Sequence, residues 1–183
     1  MIKESILKHI EVSNLLLNDL KSIDNLCQIA LSTILSRKKI LLCGNGGSAS
    51  DASHIAAEFI GKFQKDRRPL PAISLTDNLS IITSISNDYC FEEVFSRQIM
   101  GIGEENDLLI ALSTSGNSQN VVKAIETANN IGINCFVLTG KDGGEISKLN
   151  CDSIKVNSSV TARIQEMHIL IGHIICEYID SKI

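Results

Sequence analysis

The chain lacks tryptophan, has only two prolines and contains no long apolar run, although it is 183 residues long. No stretch approaches the roughly 18 uncharged apolar residues of a membrane-spanning helix. The first residues also lack the apolar block of a signal peptide. Lysine and arginine number 17 against 21 acidic residues, so the basic excess typical of nucleic-acid-binding proteins is missing too. We therefore expect a cytoplasmic protein with no membrane partner and no nucleic-acid partner.

Cysteines spaced as a redox or metal-binding pair are also missing. The six cysteines are scattered, no two of them form a C-x-x-C pair, and most lie in apolar runs. This usage is typical of buried, reduced thiols in a cytosolic protein. The length suffices for one α/β domain with a sizeable core. We predict a single domain over residues 1–183, with N-terminal helices in 1–37 and an α/β core in 38–183.

The most informative stretch is a glycine-rich loop between a predicted strand (40–43) and a predicted helix (48–60). The loop, residues 44–48, reads Gly-Asn-Gly-Gly-Ser. Glycines let the backbone approach a ligand closely, and the helix N-terminus favours an anion or a polyhydroxyl group there. His54 and Glu58 are four residues apart, so they share a helix face and can act on one ligand or metal. A plain tight turn or a dinucleotide-binding loop are the alternatives for this stretch.

A second polar loop follows another predicted strand, 107–112, and precedes a helix over 119–131. It contains four hydroxyl side chains close to the start of that helix: Ser113, Thr114, Ser115 and Ser118. A phosphate needs many donors in a small space and no competing carboxylate, and this loop offers both. We favour a phosphate site over a helix cap with spare serines.

The remaining pattern alternates strands and helices. We predict two helices within 2–36, strands at 71–76, 134–140 and 153–156, and a short helix at 145–149. Helices are also predicted over 78–86, over 91–102 after an interruption at Asn87 and Asp88, and over 161–178. Short βα loops favour a parallel sheet covered on both faces, with ligands bound at the carboxyl ends of the strands. A crevice lined by both polar loops would suit a phosphorylated sugar.

Some polar residues have a plainer interpretation. His168 can be a core residue facing the sheet. Asp51 and Glu166 can be ordinary surface or capping charges, and Asp88 can simply cap a helix. Arg163 and Glu166 are three residues apart and can form an ion pair on one helix face.

Three segments together resemble the sugar isomerase (SIS) family, and within it the phosphoheptose isomerases. They are residues 44–48, residues 113–118 and residues 161–168 (Thr-Ala-Arg-Ile-Gln-Glu-Met-His). The resemblance implies a three-layer α/β sandwich with a five-stranded parallel sheet (SIS, flavodoxin-like), preceded by two N-terminal helices. It also implies a homotetramer with sites at subunit interfaces. The implied reaction converts sedoheptulose 7-phosphate to D-glycero-D-manno-heptose 7-phosphate, the first step toward nucleotide-activated heptose for lipopolysaccharide, capsule or other surface polysaccharides.

The resemblance also implies roles for individual residues. The sugar would contact Asn45, Gly46, Gly47, Glu58, Asn87, Asp88 and Gln165, and the phosphate would contact Ser113, Thr114, Ser115 and Ser118. One zinc ion per subunit would be held by His54, Glu58, Gln165 and His173. The acid–base pair would be Glu58 and His173, which suits a reaction that moves a proton between neighbouring carbons. Gln165 and His173 lie about 12 Å apart along one helix, so an irregular helix, a site of mixed chains or partial ligation is needed.

Lys62 and Ala162 depart from residues that some members of the family carry, an arginine and an acid respectively. The main alternative is a non-catalytic SIS protein that binds the replication initiator DnaA. Such proteins resemble the chain in both loops but lack counterparts of Glu58 and His173, which favours the enzyme. A ligand-sensing SIS module is a further alternative, although no DNA-binding domain accompanies it here.

Overall fold

The computed structural model describes all residues, 1–183. Five strands form one sheet: β1 (Ile40–Gly44), β2 (Ala72–Ser74), β3 (Leu108–Ser113), β4 (Asn134–Gly140) and β5 (Asp152–Val156). Seven α-helices accompany it: α1 (Ile2–Leu15), α2 (Leu20–Leu35), α3 (Gly47–Ile60), α4 (Leu79–Asp88), α5 (Ser96–Ile102), α6 (Gln119–Asn130) and α7 (Thr161–Lys182). Short 3-10 turns occur at Leu16–Asp19, Phe91–Glu93 and Glu145–Lys148.

The sheet has the strand order β2-β1-β3-β4-β5, and every neighbouring pair is parallel. Ile40 lies opposite Ala72 on one side and Leu108 on the other. Every residue of β1 and β3 is buried, because helices cover both faces of a parallel sheet. The predicted fold class, a five-stranded parallel sheet between helical layers with two leading helices, is confirmed.

The two faces of the sheet carry separate cores. One core joins Leu42 of β1 to Phe59 of α3 and Ile171 of α7. The other joins Leu41 of β1 to helices α5 and α6, for example through Ile125. Helices α3 and α6 therefore lie on opposite faces, although they follow the neighbouring strands β1 and β3. This is the topological switch point at which open parallel sheets bind ligands.

Three of the predicted helices differ from the structure. Asn87 and Asp88 do not interrupt a helix but form the last residues of α4, and Asn87 Nδ2 donates to Asp88 Oδ1 at 2.9 Å. The chain leaves the helix at Tyr89. Nor is 91–102 one helix, because Phe91–Glu93 form a 3-10 turn, in which the Val94 N–H donates to the Phe91 carbonyl at 3.3 Å, and α5 begins only at Ser96. The segment predicted as a short helix at 145–149 is likewise a 3-10 turn.

Helix α4 buries none of its residues, although Asn78 caps its start by accepting from the Ile81 N–H at 3.1 Å. Leu79 at its start is 73% exposed. Helix α1 also presents apolar side chains to the outside, among them Ile2, Ile6 and Ile10. We call the exposed apolar positions of α1 and α4 the uncovered surface. None of the helices combines the length and the apolar character needed to cross a membrane.

His168 is a core residue, as one of its two interpretations expected. It is fully buried on α7, its Nε2 lies 3.2 Å from the Thr139 carbonyl, and its Nδ1 has no partner. The geometry is that of a neutral imidazole donating through Nε2. Burial lowers the pKa of His168 from its ordinary value near 6.5 to about 4.

His168 should make the fold sensitive to acid. The unfolded chain takes up a proton near pH 6.5 that the folded chain resists down to about 4, so stability falls as the pH drops through this interval. We expect a loss of about 3 kcal/mol from this group. His168→Gln keeps a donor but does not titrate. Urea unfolding from pH 7 to pH 4 should therefore show wild type losing stability relative to the variant, and a constant difference would contradict this.

Candidate active site

Two loops lie at the carboxyl edge of the sheet, after β1 and β3. We call them the ligand loops: the glycine loop, residues 44–48, and the hydroxyl loop, residues 113–118. The glycine loop turns at Gly46, which has φ +57°, and delivers the chain into α3. A side chain at Gly44 would place its Cβ 2.7 Å from the Ser48 carbonyl oxygen, so the strand end and the helix start are in close contact. This close turn keeps the backbone of the loop open to a ligand.

The hydroxyl loop follows β3. The Ser113 hydroxyl donates to the Ser118 hydroxyl at 3.1 Å, and the Ser115 hydroxyl accepts from the Asn117 N–H at 3.2 Å. Helix α6 starts immediately afterwards, and its N-cap residue Ser118 makes no capping bond through its side chain. The first N–H groups of α6 and these hydroxyls therefore lie together in a region that suits an anion.

A neighbouring turn after β4 supports the hydroxyl loop. The Gly116 carbonyl accepts from the Ile146 N–H at 3.0 Å, and the Asn117 side-chain oxygen accepts from the Glu145 N–H at 2.9 Å. Gly116 has φ +67°, and a Cβ there would lie 2.0 Å from the Gly143 carbonyl oxygen. The loop conformation thus depends on a glycine at position 116.

Helices α3 and α7 lie side by side and bring together three polar side chains that are distant in sequence. A Cβ at Gly172 would lie 2.4 Å from Ile55 Cδ1, so a glycine allows the two helices to approach. At the next residue, His173 Nε2 lies 3.3 Å from His54 Nε2. Glu58 Oε1 lies 3.2 Å from the same His54 nitrogen. We call His54, Glu58 and His173 the acid–base cluster.

Phe63 stacks against the imidazole of His173, with ring centroids 5.5 Å apart and planes 28° apart. The sequence prediction missed this contact. The only signal was an aromatic residue shortly after a helix that already carried two candidate site residues. An aromatic ring beside His173 restricts the orientations that the imidazole can adopt.

Gln165 lies beside the start of α3. A Cβ at Gly47 would lie 2.4 Å from Gln165 Nε2, so the amide packs against the start of α3. Gly47 precedes His54 by two turns of helix, or about 10 Å. In this chain the Gln165 amide therefore contacts the glycine loop, while the acid–base cluster lies further along α3.

The donor types nevertheless suit zinc. Separations of 3.2 and 3.3 Å from His54 to Glu58 and His173 match the spacing of about 3.3 Å between neighbouring ligands around tetrahedral zinc. No group of three or more histidine, cysteine or acidic side chains is drawn together tightly enough to qualify as a metal centre. The cluster thus has the donors of a zinc site in an open arrangement.

Asp51 is more than the surface charge that one interpretation allowed. It lies on the same stripe of α3 as Gly47 and His54, and its Oδ2 is buried without a hydrogen-bond partner. Burial raises the pKa of Asp51 to about 6, and attraction to His54 opposes part of this increase. A carboxyl group that takes up a proton more readily than an ordinary aspartate therefore lies beside the cluster.

Asn87 and Asp88 are placed elsewhere. Both are exposed at the end of α4, and their side chains bond to each other at 2.9 Å. Neither makes a side-chain hydrogen bond to the two ligand loops or to the acid–base cluster in the same chain. Arg163 does form the expected ion pair with Glu166.

Comparisons with known proteins agree with this geometry. A family model described as SIS domain matches residues 10–140. A phosphoheptose isomerase of a Nitratiruptor species is 54% identical over 84% of this chain and 82% of its own length. One from Clostridium acetobutylicum is 46% identical over 100% of this chain and 94% of its own. The structure of a phosphoheptose isomerase from Neisseria gonorrhoeae matches with a TM-score of 0.93 at 38% identity, covering 98% of this chain and 97% of that one.

Proposed function

We propose, since this chain belongs to the phosphoheptose isomerases of the SIS-domain family, that it converts sedoheptulose 7-phosphate to D-glycero-D-manno-heptose 7-phosphate. The chain is an isomerase, and its relatives act on a phosphorylated heptose. The observation that carries the proposal is the acid–base cluster on α3 and α7, in a chain that also has a hydroxyl loop fit for phosphate at the carboxyl edge of the sheet. The product would feed the synthesis of activated heptose for surface polysaccharides.

Ketose–aldose isomerisation requires one base that transfers a proton between two neighbouring carbons. Glu58 would remove a proton from C1 of the open-chain ketose, and the electrons of the C–H bond would form the enediolate. The same carboxyl group would return that proton to C2, while His173 moves a proton between the oxygens on C1 and C2. A carboxylate and an imidazole both transfer protons readily near neutral pH.

Substrate contacts come from the two ligand loops in this proposal. Asn45, Gly46 and Gly47 would hold the sugar hydroxyls together with Gln165, which packs on this loop. The phosphate would lie at the start of α6 and accept from the four hydroxyls Ser113, Thr114, Ser115 and Ser118. Positioning of this kind would hold the open-chain sugar for proton transfer by Glu58.

We further propose one zinc ion per subunit. His54, Glu58 and His173 would hold it, with Gln165 reaching it only through a different side-chain arrangement or from another subunit. Bound zinc supplies positive charge beside a developing enediolate. The support is the donor set, two imidazole nitrogens and a carboxylate with suitable spacing.

A homotetramer with sites at subunit interfaces completes the proposal. The uncovered surface supports it, because apolar positions such as Ile6 and Leu79 need a partner to leave water. Asn87 and Asp88 are exposed at the end of α4, where they could reach the site of a neighbouring subunit. Light scattering should give four times the chain mass of 19.9 kDa, and a monomer would overturn this part.

We place the protein in the cytoplasm in this proposal. All six cysteines are free, which fits a reducing cytoplasm.

Proton NMR of sedoheptulose 7-phosphate with the protein tests the function. We expect new aldose signals that depend on the protein, with a rate that falls with chelator and recovers with zinc. Conversion at the same rate with chelator and with added zinc would contradict the zinc proposal but leave the isomerase activity established. No conversion by folded protein under either condition would favour a non-catalytic SIS protein, and capture of DnaA would then be tested.

A further inference from the structure

Asn45 and Asn120 form a closed pair of amides between the two ligand loops. Asn45 Nδ2 donates to Asn120 Oδ1 at 2.8 Å, and Asn120 Nδ2 donates to Asn45 Oδ1 at 2.8 Å. Asn45 belongs to the glycine loop, and Asn120 is the second residue of α6. Asn120 is 3% exposed, whereas Asn45 is partly exposed. One amide is therefore anchored in the protein, and the other reaches the crevice.

The pair lies at the switch point of the sheet. Asn45 leads from β1 into α3 on one face, and Asn120 follows β3 into α6 on the other face. The residues are 75 positions apart, and no backbone bond joins the two loops directly. The amide pair is thus the direct polar connection between the loop for the sugar and the loop for the phosphate.

We propose that Asn120 is a positioning residue that sets the orientation of the Asn45 amide toward the sugar and fixes the spacing between the two ligand loops. This inference rests on the proposed function. Asn120 itself need not touch the substrate, because its side chain is buried and both of its bonds go to Asn45.

The hydrogen-bond count explains how Asn120 acts. An amide has two N–H donors and a carbonyl oxygen with two acceptor sites. Each member of the pair uses one donor and one acceptor site, which leaves Asn45 one N–H and one acceptor site for a ligand. Rotating the Asn45 amide by half a turn would set N–H against N–H and oxygen against oxygen. The pair therefore fixes which polar group Asn45 offers to a sugar hydroxyl.

Asn120→Asp is the test, because it keeps the shape and removes the donor. Its carboxylate would repel Asn45 Oδ1, so the Asn45 amide would shift or rotate. We expect kcat/KM for sedoheptulose 7-phosphate to fall about 100-fold, as small misplacements of a binding group can cause. Binding of inorganic phosphate, measured by calorimetry, should stay within about twofold, because the hydroxyl loop keeps its own support on the turn after β4.

A double-variant cycle shows whether Asn120 acts through Asn45. In an Asn45→Ala background, adding Asn120→Asp should change kcat/KM less than about threefold, because the group that it positions is already gone. A further loss near 100-fold in that background would overturn the proposal. So would single-variant kinetics within about twofold of wild type.

Asn129→Asp is the matched control, since it makes the same change on α6 at an amide that bonds to the Asn150 carbonyl at 3.0 Å. If Asn120→Asp does not fold, Asn120→Ser carries the same prediction without the charge. A variant that loses phosphate binding and thermal stability together with kcat/KM would mark a merely structural role and overturn the proposal. Turnover by the wild type tests the proposed function. The ratio of kcat/KM between variant and wild type tests the role of Asn120 separately.

Discussion

Glu58→Gln is expected to lower kcat about 1000-fold while the protein stays folded, since a general acid–base group contributes about 100- to 10,000-fold. The amide has the same shape as the carboxyl group but cannot accept a carbon-bound proton. It can still contact His54, whose nitrogen lies 3.2 Å from Glu58 Oε1. The loss should therefore appear in turnover rather than in stability. The α3 backbone keeps its anchor, because Arg67 Nη2 donates to the Glu58 carbonyl at 3.0 Å.

The measurement is turnover of sedoheptulose 7-phosphate together with exchange of its C1 hydrogen in deuterated water. Both should be lost in the variant, with and without added zinc, which separates the proton transfer from metal affinity. Glu126→Gln, an exposed carboxyl group on α6, is the matched control and should behave as wild type. Rates in Glu58→Gln within tenfold of wild type would show that another group moves the proton.

Gly116→Ala has the second large expected effect. Two costs add, because residue 116 has φ +67° and its Cβ would lie 2.0 Å from the Gly143 carbonyl oxygen. Strain of the left-handed backbone and a clash in a packed site together cost about 3 kcal/mol. Relief requires the hydroxyl loop to leave its turn. Ser113 and Ser118 would then lose their arrangement, and KM for the phosphorylated sugar should rise at least about tenfold.

Urea unfolding and steady-state kinetics check both parts of this prediction. Gly101→Ala is the control, because a Cβ there meets no atom within 4 Å and the residue lies in α5. That variant should keep wild-type kinetics and match or slightly exceed wild-type stability. A Gly116→Ala protein with unchanged KM would mean that the loop tolerates the shift or does not bind the phosphate.

The sheet and the two ligand loops were predictable from the sequence for local reasons. Apolar runs that end in glycine or serine mark buried strands of a parallel sheet, and β1 and β3 follow this pattern. Spacing alone placed His54 and Glu58 on one face of α3. His173, by contrast, was identified as a site residue only from the resemblance to a family. Its contact with His54 depends on how closely two helices pack across Gly172.

Other features were beyond local reasoning because they depend on tertiary contacts. The contact of Asn120 with Asn45 spans 75 positions and requires the register of β1 with β3. Burial of the Asp51 side chain and stacking of Phe63 against His173 likewise depend on tertiary packing. The end of α4 was misplaced because asparagine and aspartate favour turns and helix ends, and here they form the last residues of the helix itself. Gln165 was named only through the family resemblance, and its contact with Gly47 of the glycine loop depends on how α7 packs against α3.

Helix α4 has a further consequence because it buries none of its residues. Only Ile82 and Ile85, both partly buried, pack against a core, so the helix can open at little cost in packing and its amide hydrogens should exchange with solvent far faster than those of β1 or β3. Any surface that covers α4 must slow that exchange. The exchange rates of the α4 amides therefore report whether the chain is assembled, and they can be measured in dilute solution without any substrate.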